Sequence, residues 1–181
     1  MFGTGNQYIY NKNFSRIIII GDIHGDINRL KQILLNENII NNNLDWISTN
    51  ILVIQLGDQI DSLNRNYAFE EWENLNDVEV LNFTNILSKL ALIHNSLFIS
   101  LNGNHELMNI MGNFSYVSKK SLYENRILSF KNNGIYNNIL AYRPLVIKVN
   151  NLIFCHAGIK KEHLDILDKY NKDIFYINDI W

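Results

Sequence analysis

The chain has 181 residues, of which 47% are hydrophobic and 19% charged, and its formal net charge is -2. This length and balance predict a single folded domain over residues 1–181, and they exclude a disordered chain and a nucleic-acid binder, which needs a clustered basic face. No apolar stretch approaches the roughly 18 residues needed to span a bilayer. With a single cysteine and no signal-peptide pattern, the sequence predicts an intracellular protein without an internal disulfide.

Apolar runs and amphipathic segments alternate along the first hundred residues. The run RIIII at 16–20 has the pattern of a strand buried on both faces, and the segment 27–40 spaces its apolar residues as a helix does. A second buried strand is predicted at 51–56, a second helix at 83–95 and a third strand at 96–101. Because the unit strand–turn–helix–strand occurs twice, we predict a parallel α/β core with right-handed crossovers.

Two more strands are predicted further along the chain. The runs LVIKV at 145–149 and LIFC at 152–155 flank Asn150-Asn151, a pair typical of a two-residue hairpin turn. The second run leads directly into the tetrapeptide HAGI.

Side chains that can bind a metal ion follow the carboxyl ends of these strands. They are Asp22 and His24, Asp58 and Asp61, Asn104 and His105, and His156. Loops at that edge of an α/β sheet converge on one crevice, so we expect these side chains to lie together. Imidazole, carboxylate and amide ligands without a thiolate suit manganese, iron, zinc or cobalt better than a structural zinc site. A carboxylate shared by two ions about 3.5–4 Å apart would suit phosphoryl transfer.

The motifs GDIHGD, GDQID and GNHE, closed by HAG, resemble those of the calcineurin-like metallophosphoesterases, in the phosphoprotein phosphatase branch. The stretches 103–118 and 156–164 are similar to those of the Shewanella-like phosphatases. The resemblance covers residues 16–165 and implies an α/β fold in which two sheets form a β-sandwich flanked by helices. It also implies hydrolysis of phosphomonoesters by a metal-bound hydroxide, with two divalent ions (manganese, iron or zinc) as cofactors. The implied substrate is a serine/threonine, or else a tyrosine, phosphoprotein.

The resemblance implies a role for each residue that matches a motif. The implied metal ligands are Asp22 and His24 for the first ion, Asp58 between the ions, and Asn104 and His156 for the second. The implied general acid is His105, whose ring Asp61 would orient.

Two departures from the family pattern bear on these expectations. The family has an arginine directly after the second aspartate of GDxVDRG to bind phosphate, whereas Ser62 follows here and Arg65 is the candidate replacement. The family also closes its second metal site with a later histidine. The later histidine in this chain, His163, is predicted to lie on a helix surface. We therefore expect the chain to be truncated at its C-terminal end relative to the family.

Other functions remain open from the residues themselves. The same motifs occur in hydrolases of dinucleoside polyphosphates, and the two departures would also suit a non-catalytic protein that binds metal or phosphate. A phosphorylated protein or a small phosphoester is the expected partner, and the sequence leaves the oligomeric state open. Asp26 is predicted to cap the helix that begins at 27. Arg126 and Arg143 could contact substrate, but nothing in their spacing favours this over their interpretation as solvated charges.

Overall fold

The computed structural model describes residues 8–63, 76–122 and 125–181. The strands are β1 (Ile9–Tyr10), β2 (Arg16–Ile20), β3 (Ile51–Gln55), β4 (Leu97–Ser100), β5 (Val146–Val149) and β6 (Leu152–Cys155). The helices are α1 (Ile27–Asn36), α2 (Val78–Ile93), α3 (Asn104–Ile110), α4 (Arg126–Phe130), α5 (Ile135–Ala141), α6 (Lys161–Lys169) and α7 (Tyr176–Asp179).

One sheet has the order β2-β3-β4, and all its strands are parallel. Every residue of the central strand β3 is buried, as its uninterrupted apolar run predicts. Strand β2 lies at the edge of this sheet, and Ile19 is 53% exposed. The prediction that β2 is buried on both faces is therefore wrong, because an apolar run does not reveal how many neighbours a strand has, and among the described residues β2 pairs with β3 alone.

The second sheet has the order β1-β5-β6, with β1 parallel and β6 antiparallel to β5. Val149 pairs with Leu152 across the predicted hairpin turn, where Asn150 takes the left-handed backbone conformation at φ 52°. The predicted hairpin is confirmed. Strand β1 was not predicted, since two residues are too few to show a period.

The two faces of β3 pack against different layers, one against the second sheet and the other against helices. Leu52 and Ile54 pack with Ile147 and Val149 of β5 between the two sheets. Ile51 and Val53 pack in a second cluster with residues of α1 and α2, among them Leu30, Leu34, Leu87 and Ala91. The expected two-sheet sandwich flanked by helices is thus confirmed, and its core is centred on β3.

The ends of the first two helices differ from the prediction. Helix α1 ends at Asn36 rather than at 40, and Asn38 turns the chain with φ 53°. Ile39 and Ile40 are still buried in the core, so they extend the apolar period beyond the helix. Helix α2 begins at Val78, five positions before the predicted start. Within the described ranges, none of the helices combines the length and apolarity needed to cross a bilayer.

Candidate metal centre

The loop after β2 is hydrogen-bonded to the loop after β3. The backbone N–H groups of Ile23 and His24 both donate to the carbonyl oxygen of Asp58 at 3.0 Å. The buried Gln55 side chain donates to the carbonyl oxygens of Gly21 (3.2 Å) and Gly57 (2.7 Å), at the start of each loop. A polar residue inside an apolar strand is the sequence signal for this link, and the sequence reasoning missed it.

The loop after β3 also meets the loop after β4 at very close range. Gly57 has φ 105°, and a Cβ atom there would lie 2.5 Å from the backbone nitrogen of Gly103. A Cβ atom at Gly103 would collide with Oδ1 of Asp58. Glycine is therefore required at both positions, because the close approach of the two loops places Asp58 beside the N-terminus of α3.

Three of the predicted site residues have a left-handed backbone. The φ angles are 48° at His24, 53° at Asp58 and 70° at Asp61. Residues other than glycine rarely adopt this conformation, and it costs on the order of 1–3 kcal/mol where it occurs. Such backbones cluster at functional sites, and here they belong to the loops that carry the candidate ligands.

One carboxylate oxygen lies at the centre of the site. Oδ2 of Asp58 is 3.3 Å from Nε2 of His156, 3.9 Å from Nε2 of His105 and 4.0 Å from Nε2 of His24. The other oxygen, Oδ1, accepts the backbone N–H of His105 at 3.0 Å. That bond orients the carboxylate so that Oδ2 points toward the three imidazoles.

The candidate ligand atoms form two groups that share Asp58. One group contains His24, Asp58 and His105, and the other contains Asp22, Asp58 and His156. The second group also meets Asn104, whose Oδ1 is 3.1 Å from Nε2 of His156.

These separations suit metal binding. Ligand atoms about 2.0–2.2 Å from one zinc-like ion are at most roughly 4.4 Å apart. Oδ2 of Asp22 lies 3.6 Å from Nε2 of His24, and the distances from Asp58 also fall below this limit. Nitrogen and oxygen donors without sulfur suit the first-row divalent ions. The residues therefore fit two ions that share the Asp58 carboxylate.

Two histidine rings are held by backbone carbonyl groups. Nδ1 of His24 is 3.1 Å from the carbonyl oxygen of Ile60, and Nδ1 of His156 is 3.1 Å from that of Leu56. A carbonyl oxygen can only accept, so each Nδ1 carries the proton and donates it. Nε2 is then the ligand atom in both rings, and this support is usual around metal-binding histidines.

His105 is held by a carboxylate instead. Its Nδ1 lies 2.8 Å from Oδ2 of Asp61, whose side chain is fully buried. The same contact suits a general acid oriented by a carboxylate and a metal ligand whose other ring nitrogen is fixed. The structure thus brings His105 and Asp61 together as predicted. If His105 is the acid, both ions should stay bound when its imidazole is removed; if it is a ligand, an ion should be lost.

Glu106 connects the loops beneath the ligands. This fully buried carboxylate accepts backbone N–H bonds from Gly103 (2.7 Å), Asp58 (2.8 Å) and Gln59 (2.8 Å). Burial raises the pKa of the Glu106 carboxyl, whereas these three bonds lower it. Its position inside the GNHE motif was the available signal, and the sequence reasoning assigned it no role.

The interpretation of Arg126 and Arg143 as solvated charges is wrong. Arg126 is fully buried and makes a bidentate pair with Asp77 at 2.6 and 3.0 Å. Arg143 is also buried, donates to Thr84 Oγ1 at 3.0 Å, and has its pKa lowered to about 10 by that burial. Sequence spacing could not show this, because Asp77 lies 49 positions away from Arg126.

The remaining predicted residues have separate outcomes. Asp26 caps α1 as predicted, since its Oδ1 accepts the backbone N–H of Arg29 at 2.9 Å. Ser62 is buried, and Arg65 lies outside the described residues. His163 is exposed on α6, and neither ligand group found in the described part of the chain includes it.

A cavity of about 590 Å³ adjoins the site. Asn104 and His156 line one side of it. The rest of the lining is mostly apolar and includes Leu107, Val146 and Trp181. The open side of the candidate metal centre therefore faces an apolar surface.

Comparison with known proteins places the chain in a family. Residues 15–181 match the model of the calcineurin-like phosphoesterases, so the chain belongs to that family. It is 38% identical over 162 residues to Shewanella-like protein phosphatase 1 of Plasmodium berghei, covering 85% of this chain and 42% of that protein. It is 25% identical over 208 residues to Shewanella-like protein phosphatase 2 of Arabidopsis thaliana, covering 88% and 50%.

Solved structures show the same fold. A cold-active protein-tyrosine phosphatase of a psychrophilic Shewanella species superimposes with a TM-score of 0.74 at 22% identity, covering 91% of this chain and 49% of that one. The resemblance to Shewanella-like phosphatases is thus confirmed. The chain spans about half the length of the proteins it matches, or somewhat less.

Proposed function

We propose that the chain carries the metal-dependent site of a phosphatase that hydrolyses phosphomonoesters on serine, threonine or tyrosine residues of a protein. The observation that best supports this proposal is the position of Oδ2 of Asp58, which lies within 4.0 Å of Nε2 in three different histidines. Family membership supports the reaction class. The phosphatase names of the relatives and of the solved neighbour support a phosphoprotein substrate.

The proposed ligands divide between two divalent ions. Asp22 and His24 would hold the first ion, Asn104 and His156 would hold the second, and Asp58 would serve as a ligand for both. Two ions bound there would neutralise phosphate oxygens and lower the pKa of a water molecule. The protein contributes the geometry, since Leu56, Ile60 and α3 orient the ligand atoms.

The proposed acid is His105. Its Nδ1–H donates to Asp61, so the proton given to the leaving oxygen of the phosphoester has to come from Nε2 of the doubly protonated ring. A buried carboxylate on the far side of the ring keeps the imidazole in one orientation during the reaction. Arg65 is the proposed contact for the phosphate oxygens, as a planar donor close in sequence to Asp61.

The test measures metal content and turnover together. We would determine bound metal by elemental analysis after manganese addition and follow hydrolysis of p-nitrophenyl phosphate. Wild type should hold two ions per chain and turn over. Asp58→Asn should lose at least one ion and about 100-fold or more in rate, because the shared ligand is weakened.

Asp165→Asn is the matched control, since Asp165 is exposed on α6 and belongs to neither ligand group. It should behave as wild type. A chain that binds no ion, or an Asp58→Asn variant with unchanged turnover, would contradict the proposal.

The substrate class is decided by a direct comparison. Peptides carrying phosphoserine, phosphothreonine or phosphotyrosine would be assayed beside a dinucleoside tetraphosphate. A higher kcat/KM on one of the peptides supports the phosphoprotein assignment. Preference for the dinucleotide would replace it with a phosphoanhydride hydrolase.

A further inference from the structure

Arg126 is a fully buried cation whose three guanidinium nitrogens all donate hydrogen bonds. Nη1 and Nη2 bind the two oxygens of Asp77, and Nη1 also donates to the carbonyl oxygen of Ser121 at 3.2 Å. The guanidinium lies 4.9 Å from the centre of the Phe130 ring. The planar guanidinium group is therefore held in one orientation by hydrogen-bond acceptors around its edge and by the nearby aromatic ring.

The same guanidinium determines which way the Asn109 amide faces. Nε and Nη2 of Arg126 donate to Oδ1 of Asn109 at 3.1 and 2.8 Å. With its oxygen held there, the amide nitrogen faces Asp61 and donates to both carboxylate oxygens, at 2.9 and 3.0 Å. An amide in the opposite orientation would set its NH₂ group against the guanidinium donors.

Asp61 is thus oriented by two groups that depend on Arg126. Asn109 donates to its carboxylate, and Asp77 accepts its backbone N–H at 2.9 Å. Arg126 itself reaches Oδ1 of Asp61 at 3.4 Å. Oδ2 is left facing Nδ1 of His105 at 2.8 Å.

We propose that Arg126 is a positioning residue for His105, acting through Asn109 and Asp61 to hold the imidazole where its Nε2 can reach the leaving oxygen. The inference rests on the proposed function. In the step concerned, a water oxygen bonds to phosphorus and releases a proton to solvent, the bond from phosphorus to the leaving oxygen breaks, and the Nε2 proton of the doubly protonated His105 ring moves to that leaving oxygen, leaving a neutral imidazole.

Two substrates separate positioning from general stability. p-Nitrophenolate is a good leaving group and departs with little help from an acid, whereas the alkoxide of a phosphoserine peptide needs a proton. Arg126→Lys keeps the charge but lacks the fork needed to hold both Asp77 and Asn109. We expect kcat on the phosphoserine peptide to fall about 10–100-fold more than kcat on p-nitrophenyl phosphate.

Arg143→Lys is the matched control, because Arg143 is a second buried arginine whose side chain donates to Thr84 and Leu81 instead. Any loss in this variant should be the same on both substrates. If Arg126→Lys does not fold, Asn109→Ser removes the amide link while leaving the pair of Arg126 with Asp77. It should show the same selective loss.

A second readout does not depend on turnover. In the zinc-loaded chain, nitrogen–proton NMR of the histidine rings should show the His105 proton on Nδ1 in wild type. In Arg126→Lys this resonance should broaden or disappear, and in Arg143→Lys it should persist.

An unchanged Nδ1–H resonance together with an unchanged substrate ratio in Arg126→Lys would overturn the inference. If wild type turns over neither substrate, the proposed function fails on its own. Loss of the Nδ1–H resonance in Arg126→Lys alone would still support the positioning role.

Discussion

The two halves of the candidate metal centre share Asp58 but differ in exposure and support. In the buried half, formed by His24, Asp58 and His105, the side chains are 6–11% exposed. In the open half, formed by Asp22, Asn104 and His156, the Asp22 side chain is 52% exposed and Asn104 lies at the rim of the apolar cavity. The chain therefore surrounds one half of the site and leaves the other half facing outward.

The groups that hold the histidine rings also differ between the two halves, and more of them lie behind the buried half. His105 is backed by Asp61 and then by Asn109 and Arg126, all fully buried. His156 is backed by one carbonyl oxygen, that of Leu56. Ligand atoms that are already enclosed and fixed lose less freedom when an ion binds. The proposed first ion takes His24 from the buried half, so we expect it to bind more tightly than the second ion, whose ligands Asn104 and His156 belong to the open half.

The largest expected effect tests the role of His105 in the buried half. In His105→Asn both ions should remain bound, while kcat on a phosphoserine peptide should fall about 10²–10⁴-fold, because the proton donor is gone. Elemental analysis and steady-state kinetics measure the two quantities.

His94→Asn is the control, since that histidine follows the C-terminal end of α2, belongs to neither ligand group and should affect neither quantity. If His105→Asn instead loses an ion, His105 is a ligand of the buried half and the proposed acid is wrong.

A smaller effect separates the two halves directly. Calorimetric titration of wild type with zinc should show two binding steps of unequal affinity. In His156→Ala the weaker step should weaken by at least about tenfold, because a ligand of the open half is missing, while the tighter step changes less. Equal affinities in wild type, or loss of the tighter step in His156→Ala, would contradict the comparison.

The smallest expected effect concerns Glu106, whose buried carboxylate connects the loops beneath both halves of the site. In Glu106→Gln, an amide NH₂ would face one of the three backbone N–H groups that the carboxylate now accepts. One unsatisfied buried donor costs about 1–3 kcal/mol, so the free energy of unfolding of the metal-free chain should fall by that amount in urea.

Glu162→Gln is the matched substitution at an exposed position of α6 and should change the free energy of unfolding by no more than about 0.5 kcal/mol. A Glu106→Gln variant as stable as Glu162→Gln would show that the three bonds do not hold the loops together.

Much of the candidate site could be predicted because its residues follow strands. Apolar runs identified β2, β3, β4 and β6, and the carboxyl ends of strands in an α/β sheet face one crevice. The structure brings Asp22, His24, Asp58, Asn104 and His156 together there. Their roles as ligands stay a prediction until metal is measured.

The support behind the ligands could not be predicted in this way. The burial of Arg126 and Arg143 depends on side-chain partners that lie from 17 to 65 positions away in the sequence. A single sequence shows no sign of which distant acceptor a cation will meet. The exposure of β2 was missed for a similar reason, since strand order is a property of the whole sheet.

The sequence by itself determined which side chains follow each strand, and therefore the chemistry of the candidate site. It did so because strand pattern and motif are local, readable within a few residues. Only the tertiary structure decided which half of the site is buried, and that Arg126 supports Asp61 through Asn109. Those features depend on the packing of β3 between two layers and on contacts between distant loops, and both arise only when the chain is folded.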